Sequence, residues 1–189
     1  PTMLLKINSE DDDEHGVPFS VSDLEKLWDH EKDDVAQVLL ILCYSGYRIM
    51  ELQNIKIDLN RMYFEGGLKT TASKERIVPI HSAIQHIVKK RMEKYGSILP
   101  GSYSKFRSSL VSYLPSLYLD ADHTSHDCRH TFSKLCEKYK VNENDRMRML
   151  GHKFKNVTND VYGHRDLEDL RKEIEKIPCH KCVTNGNVK

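Results

Sequence analysis

The sequence predicts a mainly α-helical domain with a small antiparallel β-sheet, an α+β fold, and three observations lead there. Apolar residues recur at helical spacing through most of the chain. One stretch, VAQVLLILC (35–43), is apolar on nearly every side, as a central helix would be. Three short strand-like runs cluster between residues 55 and 80, where Gly, Lys and Thr break the pattern. With 189 residues, 39% of them hydrophobic and 30% charged, the chain can bury one sizeable core.

The elements follow in order. In FSVSDLEKLWDH, Ser20 or Ser22 can cap a helix, Ser22 and Glu25 have capping-box spacing, and Leu24, Leu27 and Trp28 share a face. The central helix in DDVAQVLLILCYSG ends where Gly46 permits a sharp corner, and RIMELQNI resumes helically. Strands are expected in IKIDL (55–59), MYFE (62–65) and RIVPI (76–80), the last two joined by GGLKTTASKE. HSAIQHIVKKRMEKYG is an amphipathic helix with Ile84, Ile87, Val88 and Met92 inward, and SYSKFRSSLVSYLPSLYL reads as helical until Pro115. Further helices are read from SHDCRHTFSKLCEKYK, ENDRMRMLGH, a segment bearing Tyr162, and DLEDLRKEIEKI.

Charge is unevenly spread. Residues 1 to 35 hold 11 Asp or Glu against 3 Lys, leaving 26 Lys or Arg against 17 acids in the rest. A basic body fits a polyanionic partner, and equally a solvated surface. The Pro-Thr-Met start and the acidic SEDDDEHG predict a fragment cut just upstream of a domain boundary: a linker over 1–17, a folded domain over 18–178 and a flexible tail over 179–189. No run approaches the roughly 18 apolar residues of a membrane helix, and nothing at the start reads as a signal peptide, so a cytoplasmic protein without a membrane partner is expected. Cys43, Cys128, Cys136, Cys179 and Cys182 lack disulfide-framework spacing and are read as reduced thiols. The single CxxC at Cys179 and Cys182 has no second pair, so a free tail is favoured over a zinc or redox site.

Four separated sites share a chemical theme. Arg48 follows the Gly46 corner in apolar surroundings and needs an anion or a carboxylate; Glu51, one turn on, can hold its guanidinium, although the two could be a purely structural pair. His126 and Arg129 lie three apart near a helix N-terminus, where backbone N–H groups favour an anion. His126 and His130 could alternatively be a metal pair, but HDCRH puts Asp127 where an HExxH protease needs glutamate, and no third ligand follows. The hairpin loop offers Lys69 and Lys74 as proton donors, with Lys69 favoured by position. Finally, His152 stands at a helix end ahead of Tyr162.

In order and spacing, SGYRIMEL, the LKT hairpin, SHDCRHTF and LGHKFKNVTNDVYGH resemble the motif boxes of the tyrosine recombinases, the phage-type and transposon-type integrases, over about residues 18 to 165. Cys128, where leucine is commoner, and Tyr47 and Met50 vary the boxes without removing a catalytic group. The resemblance implies that Arg48 and Arg129 are the paired arginines, with Glu51 supporting Arg48. It makes Lys69 the hairpin lysine, His126 and His152 the two histidines, and Tyr162 the nucleophile. It implies cleavage and rejoining of double-stranded DNA at attachment sites of a mobile element through a 3'-phosphotyrosine, with no metal or other cofactor. A type IB topoisomerase or telomere resolvase would use the same chemistry, and a non-enzymatic DNA-binding relic would not need these groups. In such proteins the helix after the tyrosine (here about 166–177, with Leu167, Leu170, Ile174 and Ile177 on one stripe) commonly docks into a neighbouring protomer of a homo-tetramer on DNA. The other reading of the stripe is packing on its own domain.

Overall fold

In a computed structural model, which describes residues 16–68, 76–152 and 166–181, the chain joins the fold at Val17. The Val17 N–H donates to the buried carboxylate of Asp127 (3.1 Å), and the Phe19 N–H to the Thr131 hydroxyl (2.9 Å). Gly16 lies flush on an imidazole: a Cβ there would fall 1.8 Å from His130 Cδ2. Helix α1 (Val21–Asp29) opens on a capping box, but its partners are Ser20 and Asp23 rather than Ser22 and Glu25. That register turns Leu24, Leu27 and Trp28 fully inward. Helix α2 (Asp34–Cys43) is buried from Ala36 to Cys43 and is the centre of the core. Burying each Leu or Ile yields about 1.5–3 kcal/mol, more than the helix propensity that Val38 and Ile41 forfeit, at most about 0.7 kcal/mol per residue.

The helix expected after Gly46 is only a 3-10 turn, Glu51–Gln53. Its start is closed by a side chain: the Glu51 carboxylate accepts the Arg48 N–H (2.9 Å), so Arg48 leaves the helical pattern. Strands β1 (Lys56–Asp58), β2 (Tyr63–Glu65) and β3 (Ile77–Pro79) then form an antiparallel sheet in the order β1-β2-β3. Its register aligns Ile57, Phe64 and Val78, and the last two are fully buried.

Helix α3 (Gln85–Tyr95) buries Ile87 and Val88 behind Ile84, but Met92 is only half-buried. Arg91 takes the inward position instead, donating to Ile98 O (2.8 Å) and Gln37 Oε1 (2.9 Å) and pairing with Asp34 (3.2 Å). Helix α4 (Tyr103–Ser116) carries Pro115 in its last turn. Helices α5 (Asp127–Lys138) and α6 (Glu143–Leu150) follow, the second ending on Gly151 in the left-handed region. Helix α2 packs against α1, α3, α4 and α5.

Helix α7 (Leu167–Ile174) decides between the two readings of its stripe within this chain. Leu167, Leu170, Ile174 and Ile177 are all buried, and α7 packs on β3. Docking of this helix into a neighbouring copy would first expose that face. Residues 179–181, placed in a free tail by the sequence reading, are docked as well. The His180 ring bridges the hydroxyls of Tyr44 and Tyr139, each at 3.0 Å, and Lys181 pairs with Glu31 (2.7 Å). Tyr44 is the reason, because a buried hydroxyl in an apolar core needs polar partners. Cys43, Cys128 and Cys136 are free and buried, and burial raises the Cys128 thiol well above its ordinary value; Cys182 lies outside the described residues. Among the described residues no helix is long and apolar enough to cross a membrane.

Candidate active site

The corner after α2 builds the first half of the site. Gly46 adopts φ +69°, and its carbonyl accepts Arg129 Nη1 at 2.7 Å. Beyond it, Arg48 lines a cavity of about 250 Å³ with Glu51, Leu68, Tyr103, Ser125 and His126, while the exposed Met50 forms part of the rim. The expected Arg48–Glu51 pair is long: Nη1 stands 4.0 Å from Oε1, with the arginine side chain 20% exposed. Glu51 instead binds the Arg48 backbone and, at 2.5 Å, the guanidinium of Arg76. Burial alone would raise the Glu51 carboxyl, but the charge of Arg76, the Arg48 N–H and the charge of Arg48 hold it below the ordinary glutamate value.

Arg129 builds the second half. It lies in the first turn of α5, three residues after His126, yet is 2% exposed and turned into the protein. Its two terminal nitrogens are seated on the carbonyls of Gly46 and Leu150, both at 2.7 Å, and Nη2 also lies 2.8 Å from His152 Nε2. A guanidinium has only donors, so this contact makes Nε2 the acceptor and places the His152 proton on Nδ1. The His152 N–H closes the end of α6 on Met147 O (3.0 Å), which fixes where the ring starts. Asp127 does not serve as a base beside His126; its carboxylate is used on the Val17 and Thr124 amides.

The two halves are linked through one residue that the sequence reading passed over. Arg76 Nη1 donates to Leu150 O (2.8 Å), the carbonyl that also seats Arg129, while its Nη2 binds Glu51. The structure therefore brings Arg48, Glu51 and His126 to one cavity and His152 onto Arg129, the two groups being joined through Arg76 and Leu150 O. Lys69 and Tyr162 lie outside the described residues; Leu68, just before Lys69, lines the cavity. A signal for Arg76 did exist. Alternation places it on the same strand face as Val78 and Ile80, both fully buried, so its charge pointed inward.

No protein-family model and no curated protein sequence matches the chain. Solved structures do. The integrase from mycobacterium phage Brujita superposes with a TM-score of 0.63 at 19% identity, over 90% of this chain and 61% of that one. The Tn1549 transposon integrase, solved with circular intermediate DNA, gives 0.57 at 18% identity over 88% of this chain and 67% of that one. XerA recombinase gives 0.54 at 20% identity over 84% and 62%. The chain thus spans 61–67% of these solved chains. Its seven described helices around a three-stranded antiparallel sheet are the catalytic-domain fold of the tyrosine recombinases.

Proposed function

We propose that this chain is the catalytic domain of a site-specific DNA recombinase that cuts and rejoins strands without a metal. The observation that carries the reading is the convergence of Arg48, Glu51 and His126 on one cavity, with Arg129 and His152 tied to it through the Gly46 corner and Arg76, all in this fold. Attack on a phosphodiester builds negative charge on the non-bridging oxygens, and two guanidiniums with a histidine stabilise it by charge-assisted hydrogen bonds. Arg48 approaches from the cavity, and Arg129 and His152 act as one unit. The Tyr162 oxygen forms the new bond to phosphorus, giving its proton to or through His126. The bond to the 5'-oxygen breaks, and that oxygen takes a proton from Lys69. The 3'-phosphotyrosine keeps the ester energy, so a 5'-hydroxyl from another strand can reverse the step.

The partner is double-stranded DNA carrying attachment sites of a mobile element, in the cytoplasm. Assembly as a homo-tetramer through α7 requires that helix to leave the groove it fills in its own chain. The reading is tested by incubating the chain, in the presence of a metal chelator, with nicked duplexes of randomised core sequence. An SDS-resistant protein–DNA adduct that is lost in Tyr162→Phe supports it, and an adduct that survives the substitution sinks it. Strand transfer between two duplexes, as against relaxation of one supercoiled circle, separates recombination from topoisomerase action.

A further inference from the structure

We propose that Arg76 is a positioning residue: its guanidinium holds the Glu51 carboxylate off Arg48 and ties the Arg48 corner to the seat of Arg129. The proposal rests on the recombinase reading for the role of Arg48 as a phosphate ligand.

Arg76 is 4% exposed and Glu51 1%. One carboxylate oxygen, Oε2, accepts both Arg76 Nη2 (2.5 Å) and the Arg48 N–H (2.9 Å), while Oε1 stays 4.0 Å from Arg48 Nη1. A carboxylate this buried must keep a cation. Arg76 supplies it, so the Arg48 guanidinium can line the cavity instead of closing a forked pair with Glu51. Oε1 also takes the Leu68 N–H at 3.5 Å, and its pairing with Arg48 stays long, at 4.0 Å; without Arg76 the carboxylate charge is left to Arg48 and draws its guanidinium into a close pair.

The residue type matters too. Arg76 reaches two divergent acceptors, Glu51 and Leu150 O, and its guanidinium carbon lies over the Tyr47 ring, 3.9 Å from the centroid. Lysine, a single point charge on a flexible stem, cannot do all three. Arg76 also closes the stem of the hairpin that bears Lys69, since its carbonyl accepts the Gly66 N–H (3.0 Å). Arg76 therefore joins the foot of that hairpin to Arg48 through Glu51 and to Arg129 through Leu150 O.

The test compares the wild-type chain with Arg76→Gln, Arg76→Lys, Glu51→Gln and the double variant Arg76→Gln/Glu51→Gln. Inorganic phosphate affinity is read by calorimetry, adduct formation on the randomised nicked duplexes by gel, and folding by circular dichroism and thermal melts. Arg76→Gln should weaken phosphate binding and slow adduct formation by about tenfold to hundredfold. The double variant, in which the glutamine amide still accepts the Arg48 N–H but carries no charge, should recover most of that factor. A purely structural role predicts the opposite, a double variant at least as impaired as the single one. If Arg76→Gln fails to fold, Arg76→Lys takes its place: it should bind phosphate more weakly than the wild type and recover when Glu51→Gln is added. Wild-type phosphate affinity in the Arg76 single variants, or no recovery in the doubles, overturns the proposal. Recovery of phosphate binding in a chain that forms no adduct overturns the recombinase reading and leaves the role of Arg76 standing. Adduct formation without recovery overturns the role of Arg76 alone.

Discussion

Gly46→Ala should damage fold and site together, and the structure separates the two costs. A residue at φ +69° without glycine's freedom pays roughly 1–2 kcal/mol for the left-handed conformation. The new Cβ would also fall 2.5 Å from Phe132 Cδ1 and 3.0 Å from Leu150 Cδ2. Phe132 is fully buried, so its ring cannot swing into solvent, and overpacking of this kind adds about 1–3 kcal/mol. The sum, about 2–5 kcal/mol, lowers Tm by roughly 2–4 °C per kcal/mol in a domain of this size. Gly96 is the internal control. Its φ is +66°, but nothing lies within 4 Å of a Cβ placed there, so Gly96→Ala carries only the backbone cost. Differential scanning calorimetry on the two variants isolates the steric part. Because Gly46 O seats Arg129, only Gly46→Ala should also weaken phosphate binding. Equal melting temperatures for the two variants, or unchanged phosphate binding in Gly46→Ala, would refute the reasoning.

Two further predictions concern pH. The folded-state value of Glu51 lies below 4.5, so its stabilisation is complete above that pH and is lost as pH falls through the folded value. Glu51→Gln should therefore be less stable than the wild type at pH 7 by about 3 kcal/mol, with the gap narrowing below pH 4.5; a constant gap in urea melts down to pH 3 would contradict this. Burial lowers the folded-state value of His81 below 6.5 despite Glu175 at 3.6 Å, and its ring bridges the Ala83 N–H and Ile177 O as a neutral tautomer. The unfolded chain thus takes up that proton first, and stability falls as pH drops below 6.5. His180, whose value burial and Lys138 also lower, acts in the same direction. Protection factors of the amides of residues 174–177, corrected for the intrinsic pH dependence of exchange, should fall on acidification, and His81→Gln should flatten that response; an unchanged slope in the variant would count against the assignment.

The sequence made the helices legible where apolar spacing is regular, as in α2, α5 and α7, and the sheet where alternation met turn residues. Its misses come from polar side chains whose partners the apolar pattern does not show. The run 48–55 reads as helical, but Glu51 spends its carboxylate on the Arg48 amide and on Arg76, beyond the hairpin. Arg91 is buried more deeply than Met92, which packs on the core half-buried, because Arg91 finds four acceptors within α2 and the segment after α3. Ser20, answered by Asp23, caps α1 in place of Ser22 and Glu25, which have the same spacing. In the site, Arg48 and Glu51, three apart, suggested a pair whose charged ends in fact stand 4.0 Å apart. No local pattern places His180 between two tyrosines far upstream in the chain.

The central claim, that these residues serve a tyrosine nucleophile, is tested most directly by locating the covalent bond. After incubation with the nicked duplexes and nuclease digestion, mass spectrometry of the tryptic peptides should find a 3'-linked nucleotide on Tyr162. That modification should vanish in Arg48→Ala and Arg129→Ala chains that still fold. A nucleotide on any other residue, or one on Tyr162 that forms equally well without the two arginines, would contradict the account.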